Sequence, residues 1–460
     1  MTPHSTDRTN RLGWRLAAAA GAVIFAAFAI WGGIPTETNV ATIFWLQAGL
    51  FLLVICAFAL MLWHLLIRPL APKLRQPQID SLPLSARQAL SLLLVSGGIA
   101  IFVGGIWDEL WHRSYGIPFG EDLFWRPHLL MYFGFSTTIV TGFWALFYLN
   151  RNLRGSFQQR FRSNIIVSLL ILNAAFLLYA LPADPLWHWT FGEDITAWSI
   201  PHLILLLSYV ITLVLAFFVH ESTLPERNWR AVFRLRISES FTLVIFAAVL
   251  LLWLQLMLID WDATLAGIRL EWLGLYRPEW LLAANLLACV TFCGVIATRV
   301  LRCAGAATAS GLLALAIRYG LIQLFEAEML QHVAWVAALL PLLAIDIWAY
   351  YCSAIRKSEP EWRGTALAVI VAMAINAPLI RSLYNLEEPD NLAYAIAIIA
   401  TGFGMSWLAN QVADAMRRKR AEILMGPAES IALKPAISVG VMAAFLIFIF
   451  VFIVTAAPPV

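Results

Sequence analysis

About thirteen separate runs of roughly 20 mostly apolar residues dominate this chain, and little else so narrows what it can fold into. A run of that length crosses the hydrocarbon of a bilayer as a helix, because lipid offers no partner for an unpaired backbone N–H or C=O. The runs lie near 14–33, 43–66, 88–107, 128–149, 164–182, 201–219, 240–260, 280–299, 303–325, 331–352, 364–381, 392–412 and 435–456. The composition agrees: 61% of residues are apolar and only 13% charged, against about a quarter charged in soluble domains. The expected fold is therefore all-α, a polytopic membrane helix bundle. The first run follows Arg8, Arg11 and Arg15 as a signal peptide would, but it is long and no small-x-small site ends it, so it reads as an uncleaved span.

Arginine and lysine concentrate in alternate loops, which hold 25 of the 31 basic residues. By the positive-inside rule that side is cytoplasmic, which places the N-terminus inside and the C-terminus outside a cell inner membrane. The net charge of +3 conceals this asymmetry. The inner loops carry 25 basic and 10 acidic residues and the outer segments 5 basic and 17 acidic, while Arg318 and Asp346 fall inside spans. A net charge so small points to no nucleic-acid partner. Five cysteines, at 56, 289, 293, 303 and 352, lie in or beside apolar runs and form no disulfide framework; Cys289 and Cys293 share a helix face and read as packing residues. No polar linker divides the chain, although its motifs concentrate in 1–238, and 239–460 forms a second bundle of unassigned role.

Two outward loops repeat one another. The first reads Asp108-Glu-Leu-Trp-His112-Arg-Ser-Tyr-Gly116, then Glu121-Asp122, Trp125 and Pro127-His128-Leu. The second reads Asp184-Pro-Leu-Trp-His188-Trp-Thr-Phe-Gly192, then Glu193-Asp194, Trp198 and Pro201-His202-Leu. This is the pattern of a duplicated helical hairpin. Asp108 and His112, like Asp184 and His188, are four residues apart and share a helix face if the helix continues that far. The later histidine of each copy follows a proline, which the first turn of the next span tolerates. Each hairpin thus offers one carboxylate and two imidazoles at the outer boundary, a donor set suited to copper, zinc or non-haem iron. Glu109, Glu121, Asp122, Glu193 and Asp194 could orient the imidazoles from behind. The bland alternative has these residues capping helix ends, with the tryptophans forming an interfacial belt.

The Asp108-x-x-Trp-His112 element followed by His128 resembles the metal-binding run in the C subunit of the copper membrane monooxygenases, the particulate methane and ammonia monooxygenases. The resemblance covers residues of about 100–220. It implies Asp108, His112 and His128 as one copper set and Asp184, His188 and His202 as a second, with Asp184 standing where the family has Asn. It also implies partner membrane subunits and a small hydrophobic substrate that arrives through the lipid bilayer.

Glu328 and His332 repeat the four-residue spacing at the outer start of the tenth span, as a further ligand pair or an interfacial cap. Arg318 and Asp346 are functional candidates because charge within a bilayer is costly, although their depths differ. His64 and His220 fall on the cytoplasmic side and read as loop residues. Trp31, Trp107, Trp187, Trp198, Trp261 and Trp280 sit at span ends and suit either the belt or the wall of an apolar pocket. The leading expectation is an outward-facing copper-binding membrane protein, possessing or supporting monooxygenase chemistry. A non-catalytic copper-handling subunit, a proton- or ion-coupled transporter and a histidine-ligated haem protein stay open beside it.

Overall fold

A computed structural model describes residues 53, 82–115, 125–153, 155–191, 200–224, 227–234, 239–265, 271–272, 275–276, 280–324, 334–384 and 391–424. Its elements are α1 (Leu84–Tyr115), α2 (Arg126–Asn152), α3 (Phe157–Ser163), α4 (Ile165–Phe191), α5 (Ile200–Glu221), α6 (Ser240–Leu265), a two-residue antiparallel ladder of β1 (Glu271–Trp272) with β2 (Leu275–Tyr276), α7 (Trp280–Leu301), α8 (Ala306–Leu324), α9 (Leu339–Tyr350), α10 (Trp362–Tyr384) and α11 (Asn391–Leu424). A 3-10 turn leads into α9 and a π turn, Tyr351–Arg356, leaves it.

Eight of these segments are long and apolar enough to cross a membrane, and two shorter apolar helices, Ser240–Leu254 and Ala306–Leu321, accompany them. The chain is a multi-pass membrane helix bundle. Each predicted span from 88–107 to 392–412 coincides with such a segment or a shorter apolar helix, whereas 14–33, 43–66 and 435–456 lie outside the described residues.

The first four long helices form a ring. α1 packs against α2 and α5, and α4 packs against the same two helices. α1 crosses α2 at two glycines, where a Cβ built on Gly134 would lie only 2.5 Å from the Gly97 carbonyl oxygen. Small residues permit such approach in lipid, where close packing takes over from the hydrophobic effect as the driving force. The ring's centre is polar. Asn173 Nδ2 donates to Thr212 Oγ1 at 2.8 Å, Ser208 Oγ donates to Asn173 Oδ1 at 2.8 Å, and the Thr138 and Thr212 hydroxyl oxygens lie 3.2 Å apart. All four side chains are buried.

α4 departs from its predicted end. The apolar run finishes near 182, but the helix continues through Pro182 and Pro185 to Phe191. Each proline removes one backbone donor, a loss that packing at a membrane boundary absorbs. As a result Asp184 lies in a continuous helix with His188 four residues on, the arrangement its spacing required.

Around α7, which is buried over nearly its whole length, α6, α8, α9 and α11 assemble the remainder of the structure. α6 touches both groups of helices, and one apolar core runs through them all.

At the opposite end of the ring from Asp108 and Asp184, a buried ion network ties the strand of chain after α5 to its neighbours. Arg227 donates from Nη1 and Nη2 to Glu221 at 2.5 and 2.9 Å and from Nε to Glu239 at 3.1 Å, and Arg230 also reaches Glu239 at 2.8 Å. Burial alone would lower the Arg227 pKa, but the two carboxylates hold it above its ordinary value. Thr242 donates to Glu221 as well, and the backbone of Arg230 pairs with Arg302 and Ala304 in the α7–α8 turn.

Candidate functional site

α1 and α4 end, and α2 and α5 begin, on the same side of the ring. Asp108 lies two turns before the end of α1, and His128 sits in the first turn of α2, after Trp125 at the N-cap and Pro127. Their side chains meet, with His128 Nε2 at 2.8 Å from Asp108 Oδ1. The second hairpin makes the same contact, His202 Nε2 lying 3.2 Å from Asp184 Oδ1. Carboxylate and later histidine are thus brought together twice, through corresponding atoms.

The two places differ in surroundings. At the first, the histidine and aspartate side chains are 16% and 20% exposed, and at the second 33% and 24%. Trp107, beside Asp108, is buried and meets Trp125 edge to face at 6.0 Å, while Tyr132 lies 6.2 Å from the His128 ring. Trp107 is therefore a buried packing residue, held against Trp125. Ala183 and Leu206 stand at the corresponding positions of the second hairpin.

The distances suit a metal. Ligand nitrogens and oxygens sit about 2.0–2.2 Å from a zinc-like ion, so two donors separated by roughly 90–110° at the metal lie about 2.8–3.5 Å from one another. Separations of 2.8 and 3.2 Å match that span, and they equally suit an ion pair between a carboxylate and a protonated imidazole.

His112 and His188 lie on α1 and α4, four residues beyond the aspartates in unbroken helices, and their side chains fall outside the described part of the structure. The same holds for the side chain of Glu109, while Glu121, Asp122, Glu193, Asp194, Glu328, His332 and His64 lie outside the described residues altogether. Among the described residues no group of three or more His, Cys, Asp or Glu side chains is arranged to hold a metal ion.

The intramembrane charges are both buried. Asp346 on α9 accepts the Thr308 and Ala307 N–H groups at 2.7 and 3.4 Å and the Thr298 hydroxyl at 3.4 Å. It satisfies the open donors at the start of α8 from a neighbouring helix, a role local sequence could not reveal. Arg318 lies twelve residues along α8, about 18 Å by the helical rise, so the two charges occupy different depths. His220 is a correction: it belongs to the last turn of α5 and is buried, its Nδ1 3.1 Å from Ser91 Oγ, because α1 covers that helix end. Cys289 and Cys293 are buried in α7, as packing residues would be.

Comparisons with family models, with curated proteins and with solved structures find no match.

Proposed function

We propose that this chain is an outward-facing metal-binding membrane protein whose two hairpins each hold one ion, copper before zinc or non-haem iron. Asp108, His112 and His128 form one donor set and Asp184, His188 and His202 the other. The observation that carries the reading is the carboxylate–imidazole contact made twice at one end of the ring. Further support comes from the sequence: the acidic excess of the outer loops concentrates cations there, and the motif resembles that of the copper monooxygenase C subunit.

On this reading the hairpins are copies of one unit, the chain spans the inner membrane about thirteen times with its N-terminus inside, and 239–460 is a second bundle. Copper, when bound, supplies one-electron chemistry with dioxygen. The chain's residues do the rest. Asp108 and Asp184 neutralise charge and orient the imidazoles that face them, while Trp107, Trp125 and Tyr132 give the first place an apolar wall against which a small hydrophobic substrate from the bilayer would lie. The more open second place favours ion exchange with solution, and so a copper-handling role within a larger membrane assembly.

Metal analysis of detergent-purified protein after loading with Cu(II), Zn(II) or Fe(II) and desalting tests this reading. Two equivalents of copper are expected, falling to one in His128→Ala and one in His202→Ala. Copper absent from the unmodified protein, or unchanged in both variants, overturns it.

A further inference from the structure

Asp184 follows Asp108 by 76 residues, and His202 follows His128 by 74. Carried along the helices, these offsets pair α1 with α4 and α2 with α5. Two contacts deep in the ring then fall into register. Gly97 and Gly134, the close crossing of α1 and α2, correspond to Asn173 and Ser208, the hydrogen-bonded crossing of α4 and α5. Thr138 corresponds to Thr212, and these two side chains touch one another, Oγ1 to Oγ1 at 3.2 Å. The packing pattern is unchanged by the same exchange, since α1 on α2 becomes α4 on α5, and α2 on α4 becomes α5 on α1.

A residue that touches its own counterpart lies at the axis relating two copies, as in the self-complementary contact of a two-fold dimer. Paired helices run in the same direction, so such an axis runs along the ring. We propose that the first four long helices form an internal pseudo-dimer about a two-fold axis passing between Thr138 and Thr212, and that the buried Asn173, Ser208, Thr212 and Thr138 cluster is a positioning device for both Asp–His hairpins.

The physical argument is one of leverage and solvent. α2 and α5 carry His128 and His202 ten residues from the axis contact, about 15 Å along each helix. Without water in the bilayer core, a displaced amide or hydroxyl has few other partners, which pins rotation and depth at that level. Thr212 receives the Asn173 amide of α4 and meets Thr138 of α2, so one side chain sets the placement of three helices. The positioning role rests on the metal reading of the hairpins, whereas the axis does not.

Two measurements separate these claims. The double variant Thr138→Cys with Thr212→Cys, oxidised in membranes with iodine, is expected to form an intramolecular disulfide by mass spectrometry that neither single variant forms. Absence of that bond overturns the axis, whatever the metal content. For positioning, the Cu(II) paramagnetic resonance spectrum of each place is read alone, the first in a His202→Ala background and the second in His128→Ala. Thr212→Val is expected to shift both spectra and Thr212→Ser to restore both. A shift at the second place only, or at neither, overturns the positioning role. If the unmodified protein takes up no Cu(II), that role falls with the metal reading, and the disulfide still decides the axis.

Discussion

Replacing Gly134 by Ala should loosen the first hairpin and disable its metal place while sparing the second. The added Cβ would lie 2.5 Å from the Gly97 carbonyl oxygen and 2.5 Å from Ile101 Cγ1, about 0.9 Å short of the 3.4 Å at which ordinary contact begins. Because one of the two obstacles is backbone, α1 and α2 must separate by about that amount. Helix propensity favours Ala over Gly by about 1 kcal/mol, and overpacking of this kind costs about 1–3 kcal/mol, so the net effect is destabilising by up to about 2 kcal/mol. The crossing lies six residues from His128, about 9 Å along α2, and a parallel separation of that size would stretch the 2.8 Å Asp108–His128 contact to about 3.7 Å. That exceeds the separation two ligands of one ion adopt. The assay is Cu(II) titration in detergent, with thermal unfolding followed in parallel. The expected result is loss of one equivalent and a lowered unfolding temperature. Ser208→Ala, at the corresponding place in the second hairpin, adds no atoms and should keep both equivalents, its lost hydrogen bond to Asn173 showing only as a shift of the Cu(II) spectra. If Gly134→Ala binds two equivalents and unfolds at the same temperature as the unmodified protein, the close crossing does not set the geometry of the first place.

Other outcomes follow from the same structure. Arg227→Ala should destabilise by about 3–5 kcal/mol because it leaves the buried Glu221 and Glu239 uncompensated; folded yield and thermal unfolding check this, and Arg227→Met with Glu221→Gln should recover part of the loss. Asp346→Ala should cost about 1–2 kcal/mol by exposing the α8 donors, measured by unfolding, with Asp346→Asn costing less because its carbonyl oxygen still accepts. In a Cys56→Ala background, a maleimide should leave Cys289, Cys293, Cys303 and Cys352 unlabelled until the protein is denatured, since all four are buried and burial also pushes the Cys303 thiol pKa up. By the orientation proposed from the loop charges, single cysteines placed at 118 and 195 should react with an impermeant maleimide added outside, and one at 154 only after the inner face is opened; the reverse pattern would invert the orientation.

The helices of this protein were legible because a bilayer imposes a length and a polarity that any sequence must display residue by residue. The carboxylate–histidine places were legible for a similarly local reason: Asp108 and Asp184 stand near the end of one span, His128 and His202 begin the next, and the packing of consecutive helices makes such residues neighbours. Long-range pairing has no local signature. Nothing near Asp346 announces that it satisfies the start of α8, nothing near His220 announces that α1 will bury it, and nothing near Arg227 announces that Glu221 and Glu239 will meet it. The repeat shows the same boundary. Its motif was visible in the chain, but the meeting of Thr138 with Thr212 depends on how two hairpins close into a ring. Sequence alone decided that the chain enters the membrane and where its donors stand, since those follow from solvation and spacing. Tertiary structure alone decided which donors touch, since packing selects one arrangement from the many that the same helices allow.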